Sequence, residues 1–175
     1  MTTWIWVFIG AVICQRLIEL IIARRNESWM LRHGAEERGA EHHKWFVLVH
    51  ASFFISMIAE CLVRNNPVES INYFLFAIFI LTQLARIWCI TSLGRFWNTK
   101  VIILPGAKLR TSGPYNYVKH PNYIIVGIEL FVIPLLVGAP LTAVIFPFLH
   151  IFLLIHWRLP IEDKALATIG SMKKG

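Results

Sequence analysis

Charged side chains are scarce in this sequence. Asp, Glu, Lys and Arg together make up 15% of the 175 residues, whereas hydrophobic residues make up 57% and the mean hydropathy is +0.60. An ordinary soluble domain carries about 25% charged residues, so this composition argues against that class. It is typical of a chain that lies largely in lipid.

Cysteine and the usual metal-binding spacings are also nearly absent. All three cysteines fall inside apolar runs, and neither a CxxC pair nor an HxxxH or HExxH pattern occurs. We therefore predict no metal site and no disulfide, with the cysteines acting as small hydrophobic residues. The histidines of the first polar segment, His33, His42 and His43, are predicted to be solvated.

Five apolar blocks supply most of the hydrophobic residues. They span residues 4–23, 45–63, 71–90, 122–137 and 141–157. A helix of about 20 residues, rising about 1.5 Å per residue, crosses a hydrocarbon core of roughly 30 Å. The last two blocks are separated only by "GAP" and predict a helical hairpin. We predict an all-α integral membrane protein with five transmembrane helices in a single domain, residues 1–175, and expect the first block not to be a cleaved signal peptide.

Basic residues are distributed unevenly between the segments that connect these blocks. Fourteen lie in the first connection, the third connection and the tail, whereas the second connection has only Arg64 and "GAP" has none. The positive-inside rule then places the N-terminus outside and the C-terminus in the cytoplasm of a bacterial cell. Topology explains the net charge of +7, so we predict no nucleic-acid partner.

Several ionisable residues lie inside the blocks, where a charge is costly unless it is paired or functional. Arg16 and Glu19 are three residues apart, so local pairing is expected. Arg86 and Glu129 have no oppositely charged residue within one turn. They face either each other or a cavity, and the sequence leaves a structural and a functional role equally open.

One polar stretch, "TSGPYNYVKHPNY" (111–123), interrupts the membrane pattern. Irregular backbone at this depth is tolerated only where it is buried in protein or lines a watery cavity. Pro121 fits the first position of a helix, which puts His120 at or beside its N-cap, where the helix dipole favours an anion. With the neighbouring tyrosines and basic residues, the stretch favours a planar anionic ligand. The alternative is an interfacial loop anchored by its tyrosines at the lipid headgroups.

The sequence "LRTSGPYNYVKHPNY" resembles the signature of the isoprenylcysteine carboxyl methyltransferase superfamily, and "RLPIEDKAL" resembles that family's motif after the last helix. The resemblance implies a membrane methyltransferase whose S-adenosylmethionine pocket is formed at the cytoplasmic side by the helix 3–4 connection and the C-terminal tail. It implies that Arg158 orients the acidic group of the substrate. The residues that it assigns to the cofactor are Lys108, Leu109, Arg110, Tyr115, His120, Pro121, Asn122, Tyr123 and Glu162.

The first polar segment and its surroundings, "RRNESWMLRHGAEERGAEHHKWFVLVHASFF" (24–54), resemble a bacterial subgroup found beside type III polyketide synthases. The subgroup's proposed reaction is the O-methylation of alkylpyrones, which implies a lipid-tailed acidic enol as substrate and a polyketide synthase as pathway neighbour. Glu129 is assigned to the subgroup's chemistry as a second candidate catalytic residue. The chain departs from the family pattern at Lys119, where Arg is usual, and after "ATIG", where F-G-x-x-Y-x-x-Y is usual.

Taken together, the sequence predicts an S-adenosylmethionine-dependent O-methyltransferase acting on a carboxylate or acidic enol of a lipophilic substrate, alkylpyrone-like or prenylcysteine-like, within membrane lipid. A first alternative is an NADPH-dependent membrane reductase of the sterol or steroid 5α-reductase type, which carries R-H-P-N-Y-x-G-E. Those enzymes place Glu six residues after His, where this chain has Val126. A second alternative is a non-catalytic membrane subunit or small transporter, although internal repeats typical of transporters are lacking.

Overall fold

Helices dominate the computed structural model, which describes residues 3–64, 68, 70–107 and 112–171, with side chains as far as residue 165. In chain order the helices are α1 (Thr3–Arg32), α2 (Ala40–Arg64), α3 (Tyr73–Leu93), α4 (Pro121–Val137), α5 (Pro140–Leu153) and α6 (Leu159–Ser171). Two short strands, β1 (Glu36–Arg38) and β2 (Val101–Ile103), pair antiparallel. The all-α prediction therefore needs one correction, a two-stranded sheet formed by segments far apart in the chain.

Four of the described helical segments are long and apolar enough to cross a membrane. They are Thr3–Arg32, Ala40–Arg64, Tyr73–Phe96 and Pro140–Ala165. The apolar helix α4 has only 17 residues, a rise of about 26 Å against a hydrocarbon core of about 30 Å. The first span also runs well beyond the predicted end at residue 23, because the helix continues through the polar residues that follow. The fifth span stays a prediction.

Helix α4 occupies the centre of the bundle. It packs against α3 on one side and α5 on the other, and nine of its 17 residues are buried. Residues from α1 and α2, among them Ile9 and Met57, join Leu130 and Ile133 of α4 in one hydrophobic core. The 17-residue helix α4 thus contacts several other helices, so its residues lie close to several elements.

The polar segments meet at one end of the bundle, as the sequence predicts. Asn26 near the end of α1 donates hydrogen bonds to the backbone oxygens of Gly94 and Trp97. Lys100 bridges Glu27 and Glu37, with Nζ to Oε distances of 2.7 and 3.2 Å. These bonds tie α1, the sheet and the α3–α4 connection into one layer above the cavity described below.

Helices α5 and α6 form one continuous rod instead of a span followed by a separate tail helix. A π-helical turn, Leu154–Arg158, joins them. The N–H of Leu159 bonds to the oxygen of Leu154, five residues back. Pro160 lies immediately after this turn and has no N–H to donate. The wider π turn therefore leads into the proline without interrupting the helix, which continues through Pro160 into α6.

The opposite end of the bundle is closed by a tight α4–α5 turn. Gly138 has φ +84° and ends α4 in the left-handed conformation, which glycine adopts without strain. Glu60 of α2 accepts hydrogen bonds from the backbone N–H groups of Leu141 and Thr142 at 2.9 and 2.8 Å. Glu60 also lies 3.5 Å from Arg64, so it both pairs with a cation of α2 and caps the start of α5.

Candidate functional site

A cavity of about 860 Å³ lies inside the helical bundle, between its centre and its polar end. Small-molecule sites commonly enclose about 300–1,000 Å³, so the volume is adequate for a ligand. Leu17 of α1 and Val47 of α2 line the cavity, and 54% of the surface of each is exposed. Both side chains are apolar and half-exposed, so this side of the cavity wall is apolar and is not sealed by other described residues.

Four side chains that we call the tail cluster, His120, Tyr123, Arg158 and Glu162, meet at the polar end of the cavity. The Tyr123 hydroxyl donates a short hydrogen bond to Glu162 Oε2 and accepts one from Arg158 Nε at 2.8 Å. His120 Nδ1 lies 3.5 Å from Glu162 Oε1, and its ring stacks on that of Tyr123 with a centroid distance of 5.2 Å. The start of α4 is thereby bonded to the end of the α5–α6 rod.

The local backbone explains how these four side chains come together. His120 is the N-cap of α4 and Pro121 is its first residue, as predicted. The N–H of Tyr123 bonds to the oxygen of His120 at 3.2 Å, so this donor is not free for an anion. Arg158 ends the π turn and Glu162 lies one turn later in α6, which aims both side chains at Tyr123.

A short loop brings Tyr115 to the same end of the cavity. Gly113 has φ +60°, and a Cβ at this position would lie 2.1 Å from the Ser92 Oγ atom. The hydroxyl of Ser112 also bonds to the oxygen of Ser92, at 3.0 Å, so the loop is held against the end of α3. The Tyr115 hydroxyl lies beside Cys89, and burial raises the pKa of Tyr115 above that of a free phenol. Tyr115 is therefore a neutral hydrogen-bonding group at ordinary pH.

Most of the predicted cofactor residues are brought to one place. The cavity is lined by Tyr115, His120, Asn122, Tyr123, Arg158 and Glu162. The side-chain oxygen of Asn122 is buried without a hydrogen-bond partner. Pro121 is buried and acts by starting α4. The predicted residues Lys108, Leu109 and Arg110 lie outside the described residues.

A second group of charges, which we call the buried cluster, consists of Arg16, Glu19, Arg86 and Glu129 in the membrane-spanning part. Arg16 lies 2.7 Å from Glu19 Oε2 and 2.9 Å from Glu129 Oε2. Arg86 bonds to both carboxylate oxygens of Glu129 and lies 3.4 Å from Glu19. The expected Arg16–Glu19 pair is present. Arg86 and Glu129 fulfil both alternatives that the sequence left open, because they contact each other and also line the cavity. The four residues form one network of two positive and two negative charges that joins α1, α3 and α4.

Two glutamines complete this network. Gln83 donates to Glu129 Oε1 at 2.7 Å, and Gln15 donates to Glu19 Oε1 at 3.0 Å. The Glu129 carboxylate therefore accepts bonds from two guanidinium groups and one amide. A carboxylate so fully engaged holds Arg16 and Arg86 in place. Its catalytic assignment stays a prediction.

Three histidines that line the cavity were not predicted as site residues. His43 and His50 belong to α2 and His150 to α5, so the prediction that His43 is solvated is wrong. His42 also belongs to α2 and not to a loop. Its ring stacks on that of Trp157 with a centroid distance of 5.1 Å. A histidine inside an apolar block, as in "FPFLHIF", is the signal that could have identified His150.

No group of three or more His, Cys, Asp or Glu residues that could hold a metal ion is found in the described part of the chain.

Comparison with known proteins agrees with the motif resemblance. The model of the isoprenylcysteine carboxyl methyltransferase family matches residues 74–168, more than half of the chain. The uncharacterized protein YpbQ of Bacillus subtilis is 40% identical over 161 residues, which cover 92% of this chain and 95% of that protein. An uncharacterized protein of Haemophilus influenzae is 29% identical over 132 residues, 75% of this chain and 74% of that protein. No solved structure matches significantly. The chain belongs to the isoprenylcysteine carboxyl methyltransferase family.

Proposed function

We propose that this protein is an S-adenosylmethionine-dependent O-methyltransferase that acts on a carboxylate or acidic enol of a lipophilic substrate. One observation carries the proposal. A single cavity joins the polar tail cluster to an apolar wall that half-exposed side chains of α1 and α2 contribute. A soluble, charged cofactor and a lipid-tailed acceptor can therefore occupy the same space.

The residues at the polar end fit the groups that S-adenosylmethionine carries. The terminal amino groups of Arg158 have no hydrogen-bond partner among the described residues, since only its Nε is bonded, and they would hold a carboxylate. Glu162 would accept from an ammonium or hydroxyl group, and the unpaired Asn122 oxygen would accept a further N–H or O–H. The stacked rings of His120 and Tyr123 would provide an aromatic surface for a planar base or a sulfonium.

Bound there, S-adenosylmethionine supplies an electrophilic methyl group. The contribution of the protein is alignment and exclusion of water, which together can lower a barrier by about 7–11 kcal/mol in favourable cases. Arg158 contributes to this alignment because its side chain is held in one orientation by the Tyr123 hydroxyl and by Glu162. The apolar cavity wall contributed by α1 and α2 holds the tail of the acceptor.

Resemblance of residues 24–54 to the subgroup beside type III polyketide synthases supports an alkylpyrone-like acceptor over a prenylcysteine-like one. The distribution of basic residues supports a bacterial cell membrane, with the N-terminus outside and the polar end of the cavity in the cytoplasm. The cofactor would then enter from the cytoplasm and the acceptor from the lipid.

The test is calorimetric titration of the purified protein in detergent with S-adenosylmethionine and, separately, with NADPH. We expect micromolar binding of the former only, and transfer of a labelled methyl group to a lipid extract. Binding of NADPH without S-adenosylmethionine would overturn the proposal in favour of a membrane reductase. Arg158→Ala should abolish most methyl transfer, whereas Arg38→Ala, at an exposed ion pair with Glu36, should leave it unchanged.

A further inference from the structure

The middle of the cavity, between the tail cluster and the buried cluster, is lined by neutral hydrogen-bonding groups. His50 and His150 face each other there, with ring centroids 6.0 Å apart at an angle of 86°. His150 is 3% exposed. Neither of its ring nitrogens makes a hydrogen bond of ordinary geometry, although the backbone oxygen of Tyr123 lies near the ring. Buried polar groups are normally paired, so two unbonded nitrogens in a cavity wall indicate a place where a ligand supplies the missing bonds.

The tautomer of His50 follows from its one hydrogen bond. Its Nδ1 lies 2.8 Å from the backbone oxygen of Phe46. A carbonyl oxygen can only accept, so Nδ1 carries the hydrogen and Nε2 of the neutral ring carries a lone pair. No hydrogen bond to Nε2 is made by the described residues. His50 is thus fixed in the orientation and tautomer that a proton acceptor needs.

Arg158 is assigned above to the carboxylate of the cofactor, and the remaining positive charges around the cavity are already neutralised. In the part of the chain that the structure describes, each cation lining the cavity has a carboxylate within 3.9 Å. The pairs are Arg16–Glu19, Arg86–Glu129, Arg158–Glu162, Lys100–Glu27 and Lys119–Asp163. A carboxylate entering a buried site needs an uncompensated cation. A neutral hydroxyl needs only a hydrogen-bond acceptor, which His50 provides.

We propose, on the basis of the function proposed above, that the methyl acceptor is a hydroxyl group that enters with its proton, as in an enol or a phenol, and that His50 Nε2 removes this proton. The O–H bond breaks as the proton moves to the Nε2 lone pair. The electron pair left on oxygen forms the new O–CH₃ bond, and the pair from the broken S–C bond stays on sulfur. The His50 imidazolium then releases its proton to water at the polar end of the cavity.

A pair of probes with the same tail and different acceptor groups tests this directly. The full-length protein in detergent is given 4-dodecylphenol or 4-dodecylbenzoic acid, and methyl ether or methyl ester is measured by mass spectrometry. We expect the phenol to be methylated at least tenfold faster. Faster turnover of the benzoic acid, or turnover of neither probe, overturns the proposal.

The pH dependence of the methylation rate distinguishes a role of His50 from a role of its neighbours. The charged and titratable groups that face it are Arg16 from α1, Arg86 from α3, Glu129 from α4 and His150 from α5. For the phenol, the rate of the unmodified enzyme should fall at acidic pH as the accepting imidazole becomes protonated. This acid limb should persist in His150→Gln and disappear in His50→Gln, whose rate at neutral pH should be about 100-fold lower. The exposed His33 serves as control, and His33→Gln should keep both rate and profile.

Calorimetry distinguishes failure of this inference from failure of the proposed function. His50→Gln should bind S-adenosylmethionine with a Kd within about twofold of the unmodified protein. If the unmodified protein does not bind this cofactor, the proposed function fails. If it binds the cofactor and His50→Gln methylates the phenol with an unchanged profile, only the assignment of His50 fails.

Discussion

The tail cluster and the buried cluster contain similar residues but differ in how completely these residues are bonded. Glu129 of the buried cluster accepts from Arg16, Arg86 and Gln83, and its side chain is 4% exposed. Glu162 of the tail cluster is 25% exposed, and the unpaired oxygen of Asn122 lies at the same end of the cavity. A completed network contributes to the stability of the fold, whereas an incomplete network leaves donors and acceptors for a ligand.

The largest effect should come from breaking the buried cluster. Glu129→Ala leaves Arg16 and Arg86 inside the bundle with only Glu19 to compensate their charges. The free energy of unfolding should therefore fall by about 3–5 kcal/mol. Thermal unfolding in detergent measures this change. Glu36→Ala, at the exposed pair with Arg38, should have almost no effect.

A double substitution tests whether this loss comes from the unbalanced charge of the buried cluster. Arg86→Met with Glu129→Met removes one charge of each sign and leaves Arg16 paired with Glu19. Replacing a buried ion pair by apolar side chains is often neutral or stabilising, so the double variant should be more stable than Glu129→Ala alone. If it is less stable, the bonds within the cluster matter more than its charge balance.

The next largest loss of stability should come from a substitution of Gly113, an uncharged residue that supports the loop beside the tail cluster. Gly113→Ala would strain a backbone at φ +60° and press a methyl group against Ser92, at a cost of about 1–3 kcal/mol. Both stability and cofactor affinity should fall. Gly10→Ala, where an added Cβ meets no atom within 4 Å, is the matched control, and an equal loss there would contradict the role of the loop.

Within the tail cluster, Tyr123→Phe should weaken cofactor binding more than it changes stability. The hydroxyl joins Arg158 to Glu162, and a hydrogen bond to a charged group is worth about 1.5–3 kcal/mol. This corresponds to a loss of affinity of about tenfold to 150-fold, measurable by calorimetry. Tyr73→Phe, at a residue that is 80% exposed and does not line the cavity, should bind normally. A Tyr123→Phe variant that loses stability and keeps affinity would assign this cluster a purely structural role.

The smallest effect should come from Lys100 in the polar layer. Its hydrogen bond to Glu27 raises its pKa. A raised pKa in the folded state stabilises at pH values below the unfolded pKa, about 10.4, and this contribution is lost as pH rises through the folded value. Lys100→Gln should therefore cost up to about 1 kcal/mol at pH 8, and the difference from the unmodified protein should shrink above pH 11 in thermal unfolding.

Local sequence patterns predicted much of this protein. Hydropathy located the apolar helices, and Pro121 fixed the start of α4 and the N-cap position of His120. The motif resemblance named His120 and Tyr123 together with Arg158 and Glu162, which are about 40 residues away in the chain and lie beside them in the structure. Their cofactor and substrate roles stay predictions. The predictions of the helices and of the N-cap succeeded because each depends on neighbouring residues.

Features that depend on distant contacts could not be predicted in the same way. Strands of three residues, such as Glu36–Arg38, form only because a second strand 63 or more residues later supplies their hydrogen bonds. The sequence left Arg86 and Glu129 with two alternatives, and it gave no reason to connect them to Arg16, which lies on another helix. The π turn had no signal in the sequence apart from Pro160, which lies shortly after it.

The π turn at Leu154–Arg158 also makes the orientation of Arg158 and Glu162 depend on the number of residues in that turn. Each residue of an α-helix turns the chain by about 100°. Deleting one residue from this turn would restore an ordinary helix and rotate everything beyond it by that angle relative to α5. Arg158 and Glu162 would then face away from Tyr123 while the rod stayed helical. The site in this protein is thus sensitive to the number of residues in one turn as well as to their identity.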